Sequence, residues 1–308
     1  MIKTIFLRTL LICILSQTAN GQRLLSFDLF DSSVDTINSI SFDSSITSES
    51  TVFFKGLFDE YIVPLDETIP ISNIYPGSNF TFKRQASLDY NITGFPIRTS
   101  IKLYRYENDS LKSKCSGILI SRKHVLTACH CVAQFSNDSL LYTSLFVSPV
   151  YDNGQFNTFL KGSRVKKVYF PENWDFNKDF SILELEEPIG VDNGWISIGF
   201  EEDTSILLNG IFYKFSYPAI YLPQVDSNEF NGDTLYYGYG LVDNAEENFL
   251  MISGASGIPG ESGSSIIKIS YNNLYTSYGT LSFSGDLRHS RITNWKYFAI
   301  KHFINNDL

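Results

Sequence analysis

No stretch of the 308-residue chain is apolar for the roughly 20 residues that a membrane-spanning helix needs. No block of lysines and arginines occurs either. Lys and Arg number 24 against 33 Asp and Glu, a net charge of -9, which argues against a nucleic-acid partner. Cysteine is scarce, with four residues, and no second Cys/His cluster exists to complete a four-ligand metal set around Cys129-His130-Cys131. Metal and cofactor are therefore not expected. No internal repeat is found. Charged residues make up only 19% of the chain and hydrophobic ones 43%, a balance that excludes a mostly disordered polymer and is enough for a full-sized core.

What the chain does have begins at its N-terminus. Lys3 and Arg8 give a positive start, Leu7 to Leu15 is mostly apolar, and Ser16 to Gly21 is small and polar. Ala19-Asn20-Gly21 is an A-x-A-like cleavage site before Gln22, so residues 1–21 read as a signal peptide and the remainder as exported without a stable membrane anchor. Cys13 leaves with that peptide. Three cysteines remain, Cys115, Cys129 and Cys131, and in an oxidising compartment the arithmetic is one disulfide and one leftover thiol.

Residues 22–84 differ in character from residues 85–308: acidic side chains face few bases, and Ser is dense from Ser32 to Ser50. Thr51-Val52-Phe53-Phe54 alternates in the manner of a strand. The stretch closes on the dibasic pair Lys83-Arg84, and 22–84 is read as a propeptide or N-terminal extension. From residue 85 to 308 short apolar runs alternate with turn signals, as at 99–104, 117–120, 164–170 and 180–185, which is the pattern of an all-β barrel or sandwich. A helix is expected over 295–305, with Tyr297, Phe298, Ile300 and Phe303 on roughly one side.

Three segments carry chemistry-bearing residues in a telling order. Cys115 to Cys131 reads Cys-Ser-Gly, an apolar strand, a turn, then Val125-Leu126-Thr127-Ala128-Cys129-His130-Cys131. Asn177-Lys178-Asp179 precedes the apolar run Phe180 to Leu185, with Asp175 as the alternative acid. Gly257-Ile258-Pro259-Gly260-Glu261-Ser262-Gly263-Ser264-Ser265 is a glycine-rich turn holding a serine. A lone histidine, an Asp before a strand or a Ser in such a turn is ordinary; the three in this order are not.

Together they resemble the trypsin/chymotrypsin-like (S1-type) serine protease family, and Gly-x-Ser-Gly-Ser is similar to its glutamyl endopeptidase branch. The resemblance implies two six-stranded antiparallel β-barrels with the site between them and a C-terminal helix. It implies a catalytic triad of His130, Asp179 and Ser262, an oxyanion hole from the N–H groups of Gly260 and Ser262, and a disulfide between Cys115 and Cys131. His124 falls where the family has a variable turn residue and is expected at the surface. Ser256, Leu281, Ser282 and Ser284 fall in the substrate pocket, with no acidic residue at the base and no histidine at the Leu281 position; His289 lies farther along. Glu261 stands where most of the family has Asp, the partner of a newly cut N-terminus. A cut after Arg84 would expose Gln85, a polar residue in place of the family's Ile or Val. The expected activity is that of a secreted serine endopeptidase on protein or peptide substrates. The rival is a weak or inactive protease-like binding module, which the departures at Glu261 and Ser264 keep open.

Overall fold

The computed structural model describes residues 22–305 except 39, 41, 59–61, 66–73, 76, 82, 108–109, 136–137, 143, 209, 221–229, 271–273 and 284. The expected signal peptide, 1–21, and Ser284 lie outside the described residues. Four strands precede the motif region: β1 (Leu24–Asp28), β2 (Val34–Ile37), β3 (Ser48–Ser50) and β4 (Arg84–Gln85). The next six are β5 (Ser100–Glu107), β6 (Ser110–Leu119), β7 (His124–Thr127), β8 (Leu145–Pro149), β9 (Ser163–Pro171) and β10 (Ser181–Leu185). The rest of the strands are β11 (Ser197–Glu201), β12 (Phe212–Ser216), β13 (Tyr236–Gly240), β14 (Asn244–Ala245), β15 (Phe249–Met251), β16 (Ser265–Ile269), β17 (Tyr275–Phe283) and β18 (Arg288–Arg291).

Strands β5 to β10 run in the order β10-β7-β6-β5-β8-β9, and β10 also pairs β9, which closes a six-stranded barrel. Inward residues alternate along each strand, as the pleat requires. Ile101, Leu103, Leu119, Val125, Val147, Val168 and Leu183 fill the interior together with Cys115 and Cys131. Each such fully buried Leu, Ile or Val contributes about 1.5–3 kcal/mol relative to exposure. The second sheet is curled but open among the described residues, in the order β14-β15-β18-β17-β16-β12-β13-β4, with β11 joining β17 in parallel. The second barrel is thus a half-barrel. Ile118, Leu126, Ile182, Phe215 and Tyr217 form a core between the two sheets, joined by Tyr297, Ile300 and Phe303 of the C-terminal helix. That helix spans Asn294–Asn305, one residue longer than the sequence expectation.

Residues 22–84 add to both sheets. β1 pairs β9, β3 pairs β11 and β4 pairs β13, so the Lys83-Arg84 pair runs directly into a strand. Leu24, Val63, Leu65 and Phe80 are buried. Arg98, itself fully buried, donates to the carbonyls of Thr93 at 3.1 Å, Asn193 at 2.9 Å and Lys55, joining the extension to the domain behind it. The alternation at Thr51–Phe54 does not make a strand: Phe54 forms an isolated bridge with Trp195, and the paired segment is β3 just before it.

Candidate active site

His130 lies in a 3-10 turn, Cys129–Cys131, that comes after β7. The Cys115–Cys131 disulfide fastens this turn to β6. Cys129 is a free, fully buried thiol whose pKa burial pushes well above the ordinary value. Asp179 ends a second 3-10 turn, Phe176–Lys178, and is completely buried. Asp175 caps that turn by accepting from the N–H groups of Asn177 and Lys178 at 2.9 and 3.1 Å, which gives it a structural role.

A buried carboxylate is tolerated only when its oxygens are satisfied. Asp179 Oδ1 accepts from the His130 backbone N–H at 2.9 Å. Its Oδ2 lies 2.8 Å from His130 Nδ1 and also accepts from the Ser282 hydroxyl. With Nδ1–H donating to the carboxylate, the half-buried imidazole keeps Nε2 as its acceptor. Ser282, expected in the substrate pocket, therefore binds the acid of the pair. The sequence could not assign that hydroxyl, because Asp179 lies 103 residues away in the chain.

Ser262 is half-buried at the head of the glycine-rich turn. Two glycines make the turn possible. At Gly260, φ is +89° and a Cβ would lie 2.4 Å from the Tyr217 carbonyl oxygen; at Gly263, φ is +80° and a Cβ would lie 2.1 Å from Thr127 Oγ1. Ser116 anchors the loop from the barrel: its N–H donates to Ser262 O at 2.8 Å and its hydroxyl to Gly260 O at 2.9 Å. Gly263 N–H donates to Leu281 O at 2.8 Å, beside Ser282. The serine loop thus rests against the chain that leads to His130 and the strand that reaches Asp179. Among the described residues, the N–H groups of Gly260 and Ser262 have no acceptor, and no hydrogen bond joins Ser262 to His130.

Glu261 points the other way, into a completely buried site. Its Oε1 accepts from Ser216 Oγ at 3.0 Å and lies 3.1 Å from Lys214 Nζ. Its Oε2 accepts from the Ile258 N–H at 2.6 Å and lies 3.6 Å from Lys83 Nζ. Lys83 also donates to Ser256 O at 2.8 Å. Burial, with Lys214 adding repulsion and Glu261 opposing, lowers the pKa of Lys83.

Of the remaining expected pocket residues, Ser256 meets a charge, the Lys83 ammonium on its carbonyl. Ser256 is exposed. Leu281 is 1% exposed and packs in a core with Phe80, Ala255 and Ile266 rather than lining an opening. His289, directly across from Leu281 in β18, is fully buried, and desolvation with Lys214 nearby pushes its pKa down to about 3. His124, expected at the surface, is instead 3% exposed, with Nδ1 2.8 Å from Ser121 Oγ; that hydroxyl turns the chain into β7 and carries the ring inward with it.

The family model Trypsin matches residues 89–290, more than half of the chain. The chain belongs to the trypsin family. It is 31% identical to glutamyl endopeptidase of Bacillus licheniformis over 134 residues, covering 42% of this chain and 39% of that protein. It is 36% identical to inactive serine protease 35 of Macaca mulatta over 96 residues, covering 28% of this chain and 22% of that one. It thus spans less than half the length of these curated relatives. A Glu endopeptidase solved in complex with MPD superposes with a TM-score of 0.57 at 18% identity, over 72% of this chain and 96% of the other. The fold of this family member is accordingly the trypsin-like double barrel, one half closed and the other curled.

Proposed function

We propose that this protein is an exported serine endopeptidase in which His130, Asp179 and Ser262 act in series on peptide or protein substrates. The observation that carries the reading is the buried Asp179 carboxylate, bonded to both the ring and the backbone of His130 and to Ser282. A carboxylate so held has no structural need for a half-exposed imidazole; it orients one. His130 Nε2 takes the proton of Ser262 as Oγ attacks the substrate carbonyl carbon, then passes that proton to the departing amine. Asp179 stabilises the imidazolium formed between these two steps. The N–H groups of Gly260 and Ser262 donate to the developing oxyanion, and water releases the acyl group by the same route in reverse. The Cys115–Cys131 disulfide and the leader-like residues 1–21 support export. Neither Ser256 nor Leu281 offers substrate a charge, so no acidic or basic preference is part of the proposal.

A serine-directed fluorophosphonate tests it. It should attach covalently to Ser262, and Ser262→Ala should abolish labelling while lowering kcat by about four or more powers of ten. Unchanged hydrolysis in the variant would mean another nucleophile. A wild-type chain that neither labels nor hydrolyses would favour the binding-module reading, to which the similarity with an inactive relative lends some support.

A further inference from the structure

The segment before Arg84 runs alongside the chain that leads into the serine loop. Thr81 Oγ1 donates to Gly254 O at 3.2 Å, and Lys83 Nζ to Ser256 O at 2.8 Å. Phe80 shares a buried core with Ala255 and Leu281. Lys83 then does something the other contacts do not. Its side chain is 4% exposed, and the ammonium reaches both the Ser256 carbonyl at one end of the loop and the Glu261 carboxylate at the other, next to Ser262. The same carboxylate holds the Ile258 N–H, so the turn from Ser256 to Glu261 is closed around one buried negative charge. A carboxylate without exposure needs hydrogen-bond donors or cations on its oxygens. Lys214 supplies one cation from β12, and the extension supplies the second.

We propose that Lys83 is a positioning residue for the serine loop, and that residues 22–84 are a permanent activating element of the intact chain. This rests on the peptidase reading of His130, Asp179 and Ser262. Lys83 fixes Glu261 and Ser256, Glu261 fixes the turn at Gly260, and the N–H groups of Gly260 and Ser262 stay aimed at one point. No cut after Arg84 is required. A new amino group at Gln85 would have to displace an ammonium already in place, and would have to leave β4, where Gln85 is paired with Tyr236 of β13.

The experiment uses the full exported chain, with the Lys83–Arg84–Gln85 bonds verified intact by mass. Arg84→Gln, which removes the dibasic signal and only an exposed ion pair to Asp89, should hydrolyse peptide and label with fluorophosphonate like wild type while uncut. Lys83→Met should lower kcat by about a hundredfold, the scale of losing one oxyanion donor, with KM within a few-fold. Lys83→Arg, which restores the charge, should recover most of the loss. A folded Lys83→Met with wild-type kcat would overturn the assignment. Should Lys83→Met not fold, an uncut Arg84→Gln chain that is inactive until it begins at Gln85 would overturn it equally. Absence of hydrolysis and labelling in every form, cut or uncut, would instead overturn the peptidase reading beneath it.

Discussion

The two halves of the molecule hold their functional residues by different means. The first barrel closes on itself, carries the disulfide, and brings His130 and Asp179 together from within its own six strands. The second sheet stays open among the described residues, and its serine loop is held partly from outside, by Ser116 from the barrel and by Lys83 from the extension, beside the local Lys214, Ser216 and the backbone of Ala219 and Leu281. Even the edge strand β13 is covered by β4 of the extension. The His130–Asp179 pair comes from one unit, with the Ser282 hydroxyl reaching it from the second sheet, whereas the proposed nucleophile is held where three segments meet. Loss of the Lys83 contacts should therefore fall on the serine loop and leave the His130–Asp179 contact intact.

The staple of the first half is the largest stability term to remove. Cys115 and Cys131 are 16 residues apart, and on the chain-entropy model a loop of that length contributes about 3 kcal/mol. The double variant Cys115→Ser with Cys131→Ser should lose about that much in guanidinium unfolding. If the loss is near zero, closure of the barrel alone holds the His130 turn, and the contrast with the second half becomes sharper still.

The second half has its own weak point, an uncharged histidine. His289 is held at about 3 by burial, while an unfolded histidine titrates near about 6.5. Between these values the unfolded chain binds a proton that the folded chain does not, so stability rises with pH across that window and is lost as pH falls below about 6.5. The slope from this one group is at most about 1.4 kcal/mol per pH unit. Nδ1 of His289 lies 3.0 Å from Leu287 O, and His289→Asn can keep that bond through its amide. Urea midpoints at pH 4, 5 and 6 should then vary less steeply than in the wild type. An unaltered slope would move the acid sensitivity to other groups.

How much of this could be read from the sequence depended on whether a signal was local. His130, Asp179 and Ser262 each sit in a short segment whose neighbours explain it: a strand, a turn, a glycine on either side. The barrel strands and the final helix announced themselves by period. The partners of Glu261 did not, because Lys83 and Lys214 are distant in the chain and look like any surface lysine until the fold brings them to one carboxylate. His124 misled for the same reason in reverse. A histidine in a turn reads as exposed, and only the Ser121 hydroxyl shows why it is not. Thr51–Phe54 has the alternation of a strand, yet its ends meet the neighbouring chain only as separate contacts, Thr51 N–H at Ile198 O and Phe54 at Trp195, and alternation alone does not make a sheet.

The smallest expected effect comes from Cys129, beside the staple but not part of it. Its side chain is fully buried in the first barrel's core, and replacing the thiol with hydrogen removes one sulfur atom's worth of packing, about 1 kcal/mol on the scale of a buried methylene. Cys129→Ala should thus fold, keep the proposed peptidase activity within a few-fold of wild type and keep the Cys115–Cys131 bond. Because burial holds the thiol protonated and solvent does not reach it, the native chain should resist iodoacetamide and react only when unfolded. Non-reducing peptide mapping gives the decisive readout: a single Cys115–Cys131 crosslink in both wild type and variant. A fraction of wild-type chains crosslinked through Cys129 would show that the thiol exchanges with its neighbours. The barrel would then not be the self-sufficient half, since the turn carrying His130 would exist in two covalent forms.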